Sequence, residues 1–273
     1  MRDEGGTPFP TGKLLDGKPR KILFDATKCI GCRQCVQACK DWNDHLRTTI
    51  YELSNTTWIT IEPPVLEGQS MLWGRKSCMH CEFPMCAAVC PVEAITKYDE
   101  GAVVINQDRC IGCGYCMYAC PWDVISKDHI TGKSAKCTMC SNRIRENESP
   151  FCVQACPVGA LDFGLGEEMS RKAQTRAQEV GGYLYGDKEA GGTQLIYVLK
   201  EKLAHYGLLA VSLEKFPKHR IPMAVMIKDL FTLHLGISAK VRALYLAVIH
   251  PSRLKYRYWR GGNWRRRVPD GKS

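Results

Sequence analysis

The sequence predicts an α+β fold of small repeated modules closed around cysteine side chains. Two observations carry that expectation. Sixteen cysteines in 273 residues fall into four groups of four. Short strand-like runs, "KILFD", "TWITIEP", "AITKY", "AVVIN" and "ALDFG", flank those groups.

The first group is Cys29, Cys32, Cys35 and Cys39, spaced C-x2-C-x2-C-x3-C. The second is Cys78, Cys81, Cys86 and Cys90, spaced C-x2-C-x4-C-x3-C-P. The third, Cys110, Cys113, Cys116 and Cys120, returns to C-x2-C-x2-C-x3-C-P. The fourth, Cys137, Cys140, Cys152 and Cys156, is spaced C-x2-C-x11-C-x3-C-P. The motif is therefore an internal repeat with loops of different length inserted. Three cysteines of each group are expected on a tight loop and the fourth on a short helix. Gly31, Gly112 and Gly114 suit such a loop, because glycine reaches backbone angles that other residues avoid. Pro91, Pro121 and Pro157 follow the fourth cysteine and redirect the chain.

Neighbouring cysteines within one turn cannot all pair as disulfides, and the opening "MRDEGGTPFPTGKLL" has no apolar core of a secretory signal. Metal ligation is the better reading. Tetrahedral zinc sites use two C-x2-C pairs separated by a longer loop. The C-x2-C-x2-C-x3-C-P run is instead a signature of 4Fe–4S ligation, in which the fourth cysteine serves a neighbouring cluster. Group four alone would also fit a zinc ribbon. No group has a cysteine replaced, so four 4Fe–4S clusters and no 3Fe–4S cluster are expected. Strand, cysteine loop, short helix and strand, repeated, is the pattern of a bacterial-type ferredoxin module.

Residues 51–77 read as a β-rich insertion. After residue 163 the cysteines stop; "EEMSRKAQTRAQEV" reads as an exposed helix and "TQLIYVLK" as a strand. Residues 222–249 read as amphipathic helices, and 250–273 as a basic, aromatic tail carrying Tyr256, Tyr258, Trp259 and Trp264. Such aromatic side chains favour an arm against a partner subunit over a solvated tail or a membrane-surface anchor. The apolar runs "IPMAVMI" and "LFTLHLGISA" are far shorter than the roughly 18 residues a spanning helix needs, so no transmembrane helix is expected.

The formal charge is +10. Thiolates at all sixteen positions and four oxidised cores would bring it to roughly +2. The basic excess is then counter-charge for clusters, and no nucleic-acid partner is expected. Lys28, Arg33, Arg109 and Lys136 flank ligand positions, where a cation either raises a cluster's potential or remains a solvated or interfacial charge. Trp42 and Trp122 are expected in the core, shielding clusters, and His80 as a core residue rather than a ligand. The glycine-rich 164–168 and 181–193 open no βαβ unit, so no nucleotide site is expected. No nucleophile and base stand together; the chain reads as a conductor with no catalytic residue.

The order and spacing of the four groups resemble the four-cluster, ferredoxin-like β subunits of molybdopterin oxidoreductases. That family serves formate dehydrogenases, dimethyl sulfoxide, polysulfide and nitrate reductases, and some hydrogenases. "KCIGCRQCVQACKDWND" and "YLYGDKEAGGTQLIYVLKEKLAHYGL" look most like the formate dehydrogenase subunit. The respiratory form of that subunit usually has a C-terminal transmembrane helix, which this sequence does not display.

The resemblance implies nested pairing of the groups. Cys29, Cys32, Cys35 and Cys156 would hold cluster 1, and Cys39, Cys137, Cys140 and Cys152 cluster 2. Cys78, Cys81, Cys86 and Cys120 would hold cluster 3, and Cys90, Cys110, Cys113 and Cys116 cluster 4. Spacing alone leaves sequential pairing open. One module (20–50 and 130–165) would contain the other (78–129), with 166–273 as an extension for subunit contacts. The implied partners are a molybdopterin-containing catalytic subunit with molybdenum or tungsten, facing the first module, and an acceptor facing the second: a membrane cytochrome b, a quinone-reactive subunit or a soluble acceptor. The complex would be a membrane-associated hetero-oligomer working in anaerobic respiration. A zinc-binding nucleic-acid or scaffold protein is the rival from another class.

Overall fold

The computed structural model describes residues 17–46, 50–64 and 72–211. The expected helices of 222–249 and the basic tail of 250–273 lie outside the described residues, as does 65–71 of the insertion.

The chain enters on β1 (Arg20–Asp25) and passes the first cysteines into α1 (Gln34–Trp42). β2 (Ile59–Glu62) and β3 (Gly74–Ser77) follow as an antiparallel pair. The second and third groups bracket α2 (Met85–Ala88), the antiparallel pair β4 (Ile95–Lys97) and β5 (Val103–Ile105), and α3 (Tyr115–Ala119). The two-residue strands β6 (Ser126–Lys127) and β7 (Ser134–Ala135) pair next. The fourth group carries α4 (Ser141–Arg145) and α5 (Phe151–Gln154). The described chain closes through β8 (Leu161–Leu165), α6 (Gly166–Glu179), β9 (Tyr183–Tyr185) and β10 (Leu195–Leu199).

One sheet organises this order. Its strands run β8-β1-β10-β9, with β1 antiparallel to β8 and parallel to β10. Parallel neighbours need a long connection, and here that connection contains every cysteine group. Side chains alternate across a strand, so the two faces have different tasks. Leu23, Ile196 and Val198 face α6, whose Met169, Ala173 and Ala177 form its buried stripe. Ile22, Phe24, Leu195 and Tyr197 face the core that contains the cysteines. Arg176 of α6 donates to buried Asp25 at the end of β1 at 2.8 Å, clamping the helix to the sheet. The part of 166–273 that holds α6, β9 and β10 is thus built into the sheet of β1.

Groups two to four depart from the expected pattern. The third cysteine, not the fourth, lies on the helix: Cys86 in α2, Cys116 in α3 and Cys152 in α5. Cys90, Cys120 and Cys156 lie past the helix, each directly before a proline. A proline ring disfavours helical backbone in the residue before it. Group one has Lys40 at that position, and α1 there carries both Cys35 and Cys39 and continues to Trp42. The extra turn brings Trp42 to 37% exposure instead of into the core. There it packs on Phe151, with ring centroids 5.5 Å apart, under the guanidinium of Arg143. Trp122 is buried as expected.

Ile196→Ala removes a fully buried side chain from the helix-facing side of the sheet. It is expected to cost about 2–5 kcal/mol, read as a lower denaturant midpoint. Iron content should stay unchanged, because that face carries no cysteine.

Candidate metal centres

The cysteine loops share one backbone device. The residue immediately before the second cysteine of each group is left-handed: Gly31 at φ 69°, His80 at 48°, Gly112 at 70° and Met139 at 61°. Only two of the four are glycine. The turn is therefore imposed by the loop, and His80 and Met139 bear a strain of about 1–2 kcal/mol each. His80 is held by its surroundings: it is fully buried and its Nδ1 accepts the Val103 N–H at 2.8 Å. Burial, then the charges of Lys136, Lys97 and Arg75, push its pKa far down, so the ring is neutral. Aligning the four groups on their cysteines would have exposed this shared position.

The thiols form neighbourhoods in which cysteines of different groups push up one another's pKa. Cys29 stands with Cys32 and Cys156, and Cys35 with Cys29 and Cys156. Cys39 stands with Cys137, Cys140 and Cys152. Cys86 stands with Cys78, Cys81 and Cys120, and these four line one cavity with Pro84 and Trp122. Cys116 stands with Cys90, Cys110 and Cys113. Among thiols, Cys152 acts most strongly on Cys35 and Cys78 most strongly on Cys137, so the neighbourhoods adjoin. The helices follow the same pairing: α1 packs on α5, and α2 on α3. Among the described residues no three Cys, His, Asp or Glu side chains converge closely enough to hold a single ion.

The donor set suits a polynuclear centre. Burial, reinforced by neighbouring sulfurs, pushes Cys35, Cys81 and Cys116 up to about 12 and Cys137 to about 11. Cys39 and Cys86 are driven well above the usual thiol range for the same reason. The polypeptide alone keeps these sulfurs neutral, so thiolate forms there only beside a positive group. Donors already point at sulfur: Trp122 Nε1 at 3.1 Å from Cys81, Ala94 N at 3.2 Å from Cys90 and Met139 N at 3.3 Å from Cys137.

The four flanking cations separate. Lys28 is exposed beside Asp25, and Arg109 is exposed and donates to the Val92 carbonyl. Arg33 lies against the rings of Tyr51 and Trp73 and donates to the Ile61 carbonyl. Lys136 is buried among thiols. A fifth cation, Arg75 in β3, was not singled out by sequence reasoning, because it belongs to none of the cysteine motifs; it is 1% exposed, with Nη2 at 3.9 Å from Cys152.

A Cβ at Gly112 would lie 2.2 Å from the Gly132 carbonyl oxygen, at a backbone angle that disfavours side chains. Gly112→Ala is expected to destabilise the chain by more than about 1–2 kcal/mol and to lower iron per chain, measured by colorimetric iron analysis.

Comparison with known proteins agrees with this chemistry. A 4Fe–4S dicluster domain matches residues 69–166, and a 4Fe–4S binding domain matches residues 20–41. The formate dehydrogenase-O iron–sulfur subunit of Escherichia coli (strain K12) is 36% identical over 215 residues, 71% of each protein. The formate dehydrogenase iron–sulfur subunit of Haemophilus influenzae is 35% identical over 216 residues, 71% of this protein and 69% of that one. The B subunit of anaerobic dimethyl sulfoxide reductase from Escherichia coli (strain K12) is 38% identical over 155 residues, 55% of this protein and 76% of that one. With its cysteine loops and this extent of similarity, the chain is a protein of multiple 4Fe–4S clusters and belongs to the family of formate dehydrogenase and dimethyl sulfoxide reductase iron–sulfur subunits.

Proposed function

We propose that this chain is the electron-transfer subunit of a formate dehydrogenase and that it holds four 4Fe–4S clusters in nested pairs. The similarity to formate dehydrogenase iron–sulfur subunits supports the assignment, and the mixing of groups among neighbouring thiols supports the nested pairs. Cys29, Cys32, Cys35 and Cys156 ligate cluster 1, and Cys39, Cys137, Cys140 and Cys152 cluster 2. Cys78, Cys81, Cys86 and Cys120 ligate cluster 3, and Cys90, Cys110, Cys113 and Cys116 cluster 4. The packing of α1 on α5 and of α2 on α3 supports a module of 20–50 and 130–165 around a module of 78–129. When bound, such clusters supply one-electron chemistry. The chain's residues hold them, keep water away and donate hydrogen bonds to sulfur, each of which favours one redox state over the other.

The partners follow from that role. A molybdopterin-containing catalytic subunit, with molybdenum or tungsten, exchanges electrons with cluster 1. Cys32 is exposed, as are Ile30 at 42% and Val158, two residues after Cys156, at 38%. Cluster 4, near exposed Tyr118, serves a membrane cytochrome b or quinone-reactive subunit. The assembly is a hetero-oligomer at the membrane; no helix among the described residues is long and apolar enough to cross one. The similarity to a dimethyl sulfoxide reductase subunit supports a second reading, the same wire in another molybdopterin oxidoreductase or a hydrogenase.

In the complex purified without oxygen, formate is expected to bleach the visible iron–sulfur absorption. Bleaching by dithionite but not formate would remove the formate assignment and keep the wire; a colourless protein would remove both. The pairing has its own test. Cys156→Ser and Cys29→Ser are expected to perturb the same cluster signal in electron paramagnetic resonance, and Cys39→Ser a different one. Sequential pairing, first group with second, would instead give Cys29 a shared signal with Cys90 and place Cys156 on a different cluster.

A further inference from the structure

Arg75 and Lys136 are buried to 1% and 3% exposure, and among the described residues neither is paired with a carboxylate. Arg75 donates to Ser77 Oγ at 2.6 Å and reaches Cys152 Sγ at 3.9 Å, while its Nε is buried without a partner. Tyr197 of β10 pins its backbone by donating to the Arg75 carbonyl at 3.2 Å. Lys136 Nζ donates to the carbonyls of Val103 and Cys137 and lies within reach of the Cys78 thiol. Neutral acceptors of this kind orient a cation without cancelling its charge. A cation so deep in a protein is strongly disfavoured unless an anion stands beside it. For Lys136 the acidic groups at hand are cysteine thiols, and for Arg75 cysteine thiols and the Tyr197 phenol.

Those thiols come from two neighbourhoods in each case. Arg75 faces Cys35 of the first and Cys137 and Cys152 of the second. Lys136 faces Cys137 of the second and Cys78 and Cys86 of the third. The two cations therefore occupy successive gaps along the series of centres, and the gap of Lys136 is the crossing between modules. An oxidised 4Fe–4S core held by four thiolates is an anion, and reduction adds one more negative charge. A fixed cation close by favours the reduced form.

We propose that Arg75 and Lys136 are built-in counter-ions, each shared by two adjacent clusters, and that they raise the potentials of those clusters in overlapping pairs. Arg75 acts on clusters 1 and 2, and Lys136 on clusters 2 and 3. The two sites between which electrons cross from one module to the other thereby have their potentials raised by one charge. This inference rests on the four-cluster reading above.

The test is an anaerobic redox titration of the iron-loaded full chain in its complex, with each cluster followed by electron paramagnetic resonance. Lys136→Gln keeps a hydrogen-bond donor and removes the charge. It is expected to lower the midpoint potentials of clusters 2 and 3 and leave 1 and 4 in place. Arg75→Gln is expected to lower those of clusters 1 and 2. Lys136→Arg keeps the charge and should retain the wild-type values. Assembled Gln variants with all four potentials unchanged, or all four shifted alike, would overturn the proposal. If Lys136→Gln fails to load iron, Lys136→Arg decides: full loading supports a counter-ion, and loss of iron there as well shows that shape, not charge, is required. A wild-type complex with fewer than four clusters counts against the four-cluster reading alone, and the charge effect is still read from whichever clusters flank the mutated cation.

Discussion

Sulfur buried beside sulfur resists ionisation, and the architecture of this protein follows from that resistance. Removing a thiolate from water is unfavourable, and a second thiolate a few ångströms away makes it more so. Thiols such as Cys35, Cys39 and Cys86 stand where both effects act together. Only a positively charged centre turns such a cluster of thiols from a liability into a binding site. The hydrogen-bond donors aimed at Cys81, Cys90 and Cys137 and the buried Arg75 and Lys136 favour the negative charge that sulfur carries once ionised.

Holding sulfurs in register requires a stiff frame, and the frame lies mostly outside the cysteine loops. β1 enters before the first group, and β10 closes the sheet after the last. One face of that sheet is sealed by α6 and the Asp25–Arg176 pair, which frees the other face to support the cysteine core. The loops can then bear left-handed residues at His80 and Met139, because the surrounding structure holds them in place. The tertiary contacts that stabilise the fold are in this way also those that position ligands.

The repeated loop and the single proline after it explain much of the local variation. Where proline follows the fourth cysteine, the helix stops before that cysteine. Where Lys40 replaces it, α1 runs on and Trp42 meets solvent. A one-residue difference thus changes how a helix ends without changing the spacing of its cysteines. A cysteine does lie on a helix in every group, as the spacing suggests. In three groups it is the third rather than the fourth, because proline acts on the residue before it as well as on its own position.

Cysteine spacing by itself determined the chemistry, since the C-x2-C-x2-C-x3-C run repeated in company with its variants suits polynuclear iron, where zinc uses two separated pairs. Apolar runs determined the strands, since that pattern follows from local backbone geometry; 167–180 read as an exposed helix, and only the fold shows its Met169, Ala173 and Ala177 buried against the sheet. Pairing was another matter: Cys39 and Cys137 lie far apart along the chain, and nothing in the spacing distinguishes that partner from a nearer one. Arg75 was equally invisible, because an arginine in a strand between motifs reads as a surface charge until the fold encloses it. Only the tertiary structure decided which thiols meet and which cations are trapped between them, because both depend on how distant segments pack rather than on their own sequences.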